Sequence, residues 1–311
     1  MKIAIIGAGA MGCLYGALLS VKNEVILIDS YRPQVETINA NGLIMVENGV
    51  EKLYALKAVL SGTDLGAVDL VIVFVKSTDT YDAVKANKSL IGPDTIIMTL
   101  QNGAGNDRDI LHFAAKENII IGTSKHNSVG MGPGKIHHTG SGITTIGAMD
   151  FAANVNSLII AALMEAGLET EVSDDIQRII WSKLFVNISV NTLTALLETK
   201  IGYMSQNKYA WDFAKRIIYE AINVAEEDGT YFDRREVMEM VQNVCEKAGE
   251  GYSSMYQDRK RKVRTEIDKM NGAIVEQAKL YGVATPYNSL VVDLIHAVEG
   301  TYLDQNESDS H

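Results

Sequence analysis

A chain of 311 residues with 47% hydrophobic content can bury one large core or two medium ones, and two domains is the better expectation. A formal net charge of -11 argues against generic affinity for nucleic acid or anionic membrane, and no uninterrupted apolar stretch reaches the roughly eighteen residues of a membrane span. Two cysteines far apart, Cys13 and Cys245, and no secretory signal ahead of the first strand predict a cytoplasmic protein with reduced thiols.

The first thirty residues carry the clearest pattern. An apolar run, Ile3 to Ile6, leads into Gly7-Ala8-Gly9-Ala10-Met11-Gly12, an apolar helical segment to Leu19, and a second apolar run, Val25 to Ile28, closed by Asp29. Gly7 permits a tight turn, Gly9 lets backbone approach a pyrophosphate, and Gly12 lets the helix pack close on the strand. Asp29 follows at about the twenty-residue distance at which an acid meets the adenosine ribose. The six residues of the turn, with Asp29, are therefore the candidate dinucleotide-binding residues; the helix N-terminus adds N–H groups for phosphates.

Farther on, Pro33 to Asn41 reads as a helix, and the segment through Leu60 is alternating and hard to assign. Leu70 to Val75 and Thr95 to Leu100 have the unbroken apolar character of strands buried on both faces, Ile119 to Gly122 is a further short strand, and Thr80 to Leu90 and Asp107 to Ala115 read as helices. The alternation predicts an α/β fold, a Rossmann-like doubly wound parallel sheet, finished by a few late strands in Gly130 to Gly147. The boundary is placed at Ser173, giving a dinucleotide-binding domain over 1–173 and a helical substrate and dimerisation domain over 174–311. In the second half Ile176 to Glu198, Trp211 to Asp228, Arg235 to Ala248 and Thr265 to Tyr281 have helical spacing, and the polar tail from Gln305 reads as disordered.

Lys183, Asn187 and Asn191 recur every four residues and fall on one helical stripe that drifts about 40° per step. Amides behind one cation are odd for a solvent face and suit a small polar ligand. Lys76 and Asn102 each follow a parallel strand, where ligands of open α/β sheets bind, and both join the cofactor-binding candidates. Ser254 and Gln257 have capping-box spacing, and Thr265 with Asp268 a looser version. The basic run Arg259 to Lys262 lacks interleaved aromatics and reads as a solvated face. His137 and His138 lack partners at metal-ligand spacing, so no metal is expected; Cys13 reads as a packing residue.

Taken together, the glycine turn, Val75-Lys76, Gln101-Asn102-Gly103, Pro133-Gly134 leading to Ile146-Gly147, Lys183 with Asn187 and Asn191, and Ser254-Met255 through Thr265-Glu266 resemble the ketopantoate reductase (2-dehydropantoate 2-reductase) family over nearly the whole chain. The resemblance implies reduction of 2-dehydropantoate to pantoate, in pantothenate biosynthesis, by a homodimer. It implies Lys183 as catalytic general acid, Glu266 in substrate binding and catalysis, and Asn102, Asn187, Asn191 and Ser254 as substrate contacts. One departure matters: NADPH-dependent members carry an arginine after the second strand, and this chain has Asp29-Ser30, which favours NAD(H) over NADP(H) unless Arg32 swings in. Relatives with Asp there resemble NAD-dependent reductases of other 2-oxo acids, including D-mandelate-type dehydrogenases. A nicotinamide-binding sensor that kept the fold and lost the reaction is the alternative from another class; the presence of both Lys183 and Glu266 weighs against it.

Overall fold

The computed structural model describes residues 1–101, 106–150 and 155–308. They form two compact units, the first ending at Ile176 and the second beginning at Gln177. The division lies just past Ser173 because the chain after the last strand stays on the first unit. Gly147 makes this possible: a Cβ there would meet Ser173 O and Ile176 Cβ at 2.7 Å.

In chain order the first unit contains β1 (Lys2–Ile6), α1 (Ala10–Leu19), β2 (Glu24–Asp29), α2 (Arg32–Asn41), β3 (Leu43–Glu47), β4 (Val50–Tyr54), β5 (Lys57–Leu60), β6 (Leu70–Val73), α3 (Thr80–Ala86), β7 (Ile96–Thr99), α4 (Asn106–Ile110), β8 (Ile119–Ser124), β9 (Asn127–Gly130), β10 (Lys135–Gly140), β11 (Thr144–Ala148), α5 (Ser157–Glu165) and β12 (Thr170–Val172). Eight strands build a large sheet in the order β12-β11-β8-β7-β6-β1-β2-β5. It is parallel except where β11 runs antiparallel to β8. β1, β6 and β7 are apolar along most of their length, as strands covered on both faces must be. The strand order reverses at β1, flanked by β2 and β6, so the turn after β1 lies at the topological switch point.

The segment before Leu60 that periodicity leaves unassigned supplies β3, β4 and β5. β3 and β4 join β9 and β10 in a second sheet of four strands, order β4-β3-β10-β9, which the reading of one parallel sheet does not anticipate. Two helices are shorter than their spacing predicts. α3 stops at Ala86 because the side chain of Asn87 bonds back to Ala83 O at 2.8 Å and accepts from Gly62 N at 3.0 Å, and α4 stops at Ile110. Ile3, Ile5, Leu14, Tyr15 and Leu27 pack between α1 and the large sheet as the core of this unit.

The second unit contains α6 (Ile176–Val186), a π-helical turn (Asn187–Asn191), α7 (Thr192–Leu197), α8 (Tyr203–Gln206), α9 (Lys208–Glu227), α10 (Arg234–Lys247), α11 (Ser254–Lys260), α12 (Asn271–Tyr281) and α13 (Pro286–Ser308). Side chains of Asn207 and Asp233 cap α9 and α10 by accepting two backbone N–H bonds each. Trp181, Phe185, Ile188, Ile217, Ile218 and Val241 meet in its core. The span Ile176–Leu197 is by length and composition apolar enough to cross a membrane, with an 18-residue window of mean hydropathy 1.3, yet 61% of that window is buried inside the protein, as befits a core helix. Two readings are corrected. Thr265 to Tyr281 is not one helix: a 3₁₀ turn, Ile267–Lys269, is followed by Met270 at φ -105°, ψ -96°, and α12 starts after it. The polar tail from Gln305 is helical as far as Ser308.

Candidate active site

In the first unit the glycine turn is held from both sides: Gly7 N donates to Ile28 O and Phe74 N donates to Ile6 O, each at 2.8 Å. Gly7 has φ +100°, and a Cβ there would lie 2.6 Å from Val75 N. A Cβ on Gly12 would lie 1.8 Å from Gly7 O, so α1 can sit this close to the turn only without one. Gly9 differs, because a Cβ on it meets no protein atom within 4 Å. Packing thus explains Gly7 and Gly12, whereas Gly9 borders open space at the start of α1, where no side chain caps the helix. That is the arrangement a pyrophosphate requires, and the residues present fit a dinucleotide.

Asp29 ends β2 beside this turn. Its Oδ2 accepts from Ala8 N at 2.7 Å and its Oδ1 from Tyr31 N at 2.8 Å. Gln34, absent from the sequence reading, holds the turn from the other side: its Nε2 donates to Ala8 O at 2.7 Å while its Oε1 accepts from Gly134 N at 2.9 Å. Cys13 packs beneath, donating to Ala8 O, and burial pushes its thiol up to about 12, as suits a packing residue.

A cleft of about 310 Å³ opens at the carboxyl end of β1 and β2, where Asp29, Asp79 and Asp82 surround Ser30 and Ser61. Among the described residues that line it none is basic. Arg32 extends instead along α2, 3.9 Å from Glu36, with both side chains 67% exposed. Lys76 is exposed just past β6, and its carbonyl accepts from Asp79 N at 2.8 Å. Asn102 lies outside the described residues.

In the second unit the stripe Lys183, Asn187, Asn191 is interrupted by the π turn, which begins at Asn187 and ends at Asn191. π turns inside α-helices are rare and recur at functional sites. This one is secured from the side. Asn271, fully buried, donates to Ile188 O at 2.9 Å and accepts from Thr192 Oγ1 at 2.7 Å, so the displaced backbone is satisfied. Asn191 Nδ2 then lies 3.1 Å from Asn187 Oδ1 and 3.5 Å from Ser254 Oγ. Lys183, half-buried, stands one turn earlier on the same helix.

Ser254 is placed by its neighbour. The N-cap of α11 is Ser253, which accepts from Tyr256 N at 3.1 Å and bonds Thr194 Oγ1 at 2.8 Å, so the capping spacing assigned to Ser254 belongs one residue earlier and leaves the Ser254 hydroxyl exposed beside Asn191. Arg259 does not belong to a solvated face. It donates to Ala195 O and Leu196 O and pairs with Glu198 at 2.9 Å, closing the end of α7. Glu266, half-buried, comes from the separate turn before α12. His138 does have a carboxylate partner, Glu47 Oε1 at 2.6 Å, reached across the small sheet from β3.

The open glycine turn of the first unit and the row of amides behind an amine in the second suit an oxidoreductase, and the chain's relatives place it among those that act on CH–OH groups with a nicotinamide cofactor. The chain belongs to the ketopantoate reductase PanE/ApbA family, whose model matches residues 3–150, with the family's C-terminal model matching 175–299. It is 36% identical over 300 residues to a 2-dehydropantoate 2-reductase of Pyrococcus horikoshii, covering 96% of this chain and 98% of that one. A 2-dehydropantoate 2-reductase of Streptococcus pyogenes serotype M3 is 32% identical over 302 residues, 96% of this chain and 98% of its own. Among solved structures, D-mandelate dehydrogenase with NADH and anilino(oxo)acetate superposes with TM-score 0.90 at 35% identity, covering 97% of this chain and 99% of that one. Proteins of this family act on small 2-oxo acids.

Proposed function

We propose that the chain reduces a small 2-oxo acid to the 2-hydroxy acid with NADH, 2-dehydropantoate to pantoate being the first substrate to test. The observation that carries the substrate side is the Asn187–Asn191–Ser254 cluster one turn beyond Lys183. In this reading the amides and the hydroxyl hold the carboxylate and carbonyl of the oxo acid. A bound nicotinamide supplies the hydride. As negative charge builds on the ketone oxygen, the Lys183 ammonium stabilises it and donates the proton, and Glu266 holds the substrate in register. The glycine turn, with Asp29 and Lys76, holds the dinucleotide, and Asn102 completes both sets of contacts.

NADH is preferred for the charges of the cleft. An adenosine 2′-phosphate placed there would face the carboxylates of Asp29, Asp79 and Asp82. One unit-charge pair at about 4 Å near a surface is worth about 4 kcal/mol, reduced by solvent and salt to about 1–2 kcal/mol, or a tenfold preference.

The likeness to D-mandelate dehydrogenase in complex with NADH supports a second reading, an NAD-dependent D-2-hydroxyacid dehydrogenase of mandelate type. A panel of 2-oxo acids, run with NADH and with NADPH, decides between the two; turnover of none of them would reject both. Lys183→Ala is expected to lower kcat by about a hundredfold or more with the dissociation constant for NADH nearly unchanged. Normal turnover in that variant would remove the lysine from the mechanism.

A further inference from the structure

Thr265 and Asp268 stand on either side of Glu266 and are tied to the same helix. The backbone N–H and the hydroxyl of Thr265 both donate to Glu299 Oε1 at 2.8 Å. The other oxygen of that carboxylate lies 3.2 Å from His296 Nδ1, and His296 Nε2 lies 2.8 Å from Asp268 Oδ1. Thr265 and Glu299 are each only 8% exposed, whereas Asp268 is exposed. An imidazole with a carboxylate oxygen against each nitrogen can donate to both only when doubly protonated; the neutral ring turns a lone pair toward one of them.

Asp268, from the turn, and Glu299, from α13 itself, are the charges that face the ring. Near Tyr302, beyond Glu299, are Asp258 and Arg259 of α11 and Glu198 at the end of α7. From α9, Glu220 meets α13 at Asn288, about two turns from His296. The α12 charges Glu276 and Lys279 pair with each other at 2.5 Å on the surface.

We propose that His296, held as an imidazolium between Glu299 and Asp268, is a positioning residue for Glu266: it fixes both ends of the short turn that carries this carboxylate and slackens it on losing its proton to solvent. The role rests on the reading of Glu266 given above. Burial alone would lower the pKa of His296, but the hydrogen bonds and charges of Asp268 and then Glu299 outweigh it and the net direction is upward. The clamp is therefore complete below about pH 6.5, the ordinary histidine value, and is lost as pH rises through the raised value in the folded chain.

The test uses the full-length protein. NMR follows the imidazole titration of His296 and hydrogen exchange at the Thr265 amide, while kcat/KM with 2-dehydropantoate and NADH is measured over the same pH range. We expect the protection of Thr265, its exchange taken relative to the intrinsic rate at each pH, to drop, and kcat/KM to fall, through the His296 midpoint. His296→Gln should abolish that limb and lower kcat/KM by about tenfold to a hundredfold at its acid side, the scale of loss that follows from a misplaced group, without changing NADH affinity. In a Glu266→Gln background the same substitution should add less than about twofold, as two changes acting through one group do. Equal losses in both backgrounds, or Thr265 exchange indifferent to the His296 titration, would overturn the proposal. Should the chain reduce no 2-oxo acid, the functional reading fails by itself, and exchange at Thr265 in the unsubstituted chain still decides whether the clamp exists.

Discussion

Asp29 has two duties that pull against each other in any attempt to change the cofactor. Its carboxylate would repel a 2′-phosphate, but it also accepts from Ala8 N and Tyr31 N and so shapes the turn proposed to meet the pyrophosphate. Asp29→Ala is expected to weaken both NADH and NADPH and to cost about 1–3 kcal/mol in stability, since two backbone donors lose a charged acceptor. Asp82→Asn leaves the turn intact, and Ser30→Arg adds a cation; the first should narrow the NADH preference severalfold and the second reverse it, read from kcat/KM with both cofactors. A clear NADPH preference in the unsubstituted protein would show the acidic cleft to be misread. The two thiols belong to the same scale. Burial pushes Cys13 up to about 12 and Cys245 up to about 11, so iodoacetamide should modify neither in the native chain at mildly alkaline pH and both after unfolding, as mass spectrometry would show.

At the scale of elements, the π turn shows what a sequence discloses and what it withholds. Four-residue spacing displays Lys183, Asn187 and Asn191 as one stripe, but the π turn leaves no mark on the apolar pattern, because Phe185 before it and Ile188 and Val190 within it are all buried, as an uninterrupted apolar run would suggest. Its support comes from Asn271, 83 residues from Ile188 in the chain, a distance at which no local pattern speaks. Asn271→Ala is predicted to destabilise the protein by about 2–4 kcal/mol in urea unfolding, since Ile188 O, Thr192 Oγ1 and Asn288 Oδ1 all lose a partner in a buried place, and to lower kcat/KM as the asparagines shift. A silent Asn271→Ala would mean the turn supports itself. Similar limits hid the clamp on Thr265, and adjacent hydroxyls hid Ser253 behind Ser254. Glycine spacing, by contrast, disclosed the turn between β1 and α1, because Gly7 and Gly12 each answer a local steric demand and Gly9 leaves the start of α1 open.

For the molecule as a whole, alternating apolar strands and helices disclosed the large sheet, its parallel sense and the helical second half. The small sheet escaped because β3 and β10, its central parallel pair, lie far apart in sequence and have half-buried faces with mixed composition. It matters for pH. His126 bonds His138, which bonds Glu47; burial first and then the neighbouring His138 lower the His126 pKa, with Glu47 opposing. A depressed histidine contributes stability that is present above about pH 6.5 and lost as pH falls through its folded value. His296 has the opposite sign. The first unit should therefore weaken on acidification and the second on alkalinisation. Protection from hydrogen exchange, taken relative to the intrinsic rate at each pH and mapped to each unit at mildly acid and mildly alkaline pH, would show it, and parallel changes of protection in both units would contradict the assignment.

Gln34 joins the carbonyl of Ala8 to the amide of Gly134, so the glycine turn and the hairpin of the small sheet share one side chain. That amide is consequently a built-in gauge. Titrating the protein with dinucleotide should move the Gly134 resonance before any substrate is added, giving an occupancy readout that owes nothing to catalysis.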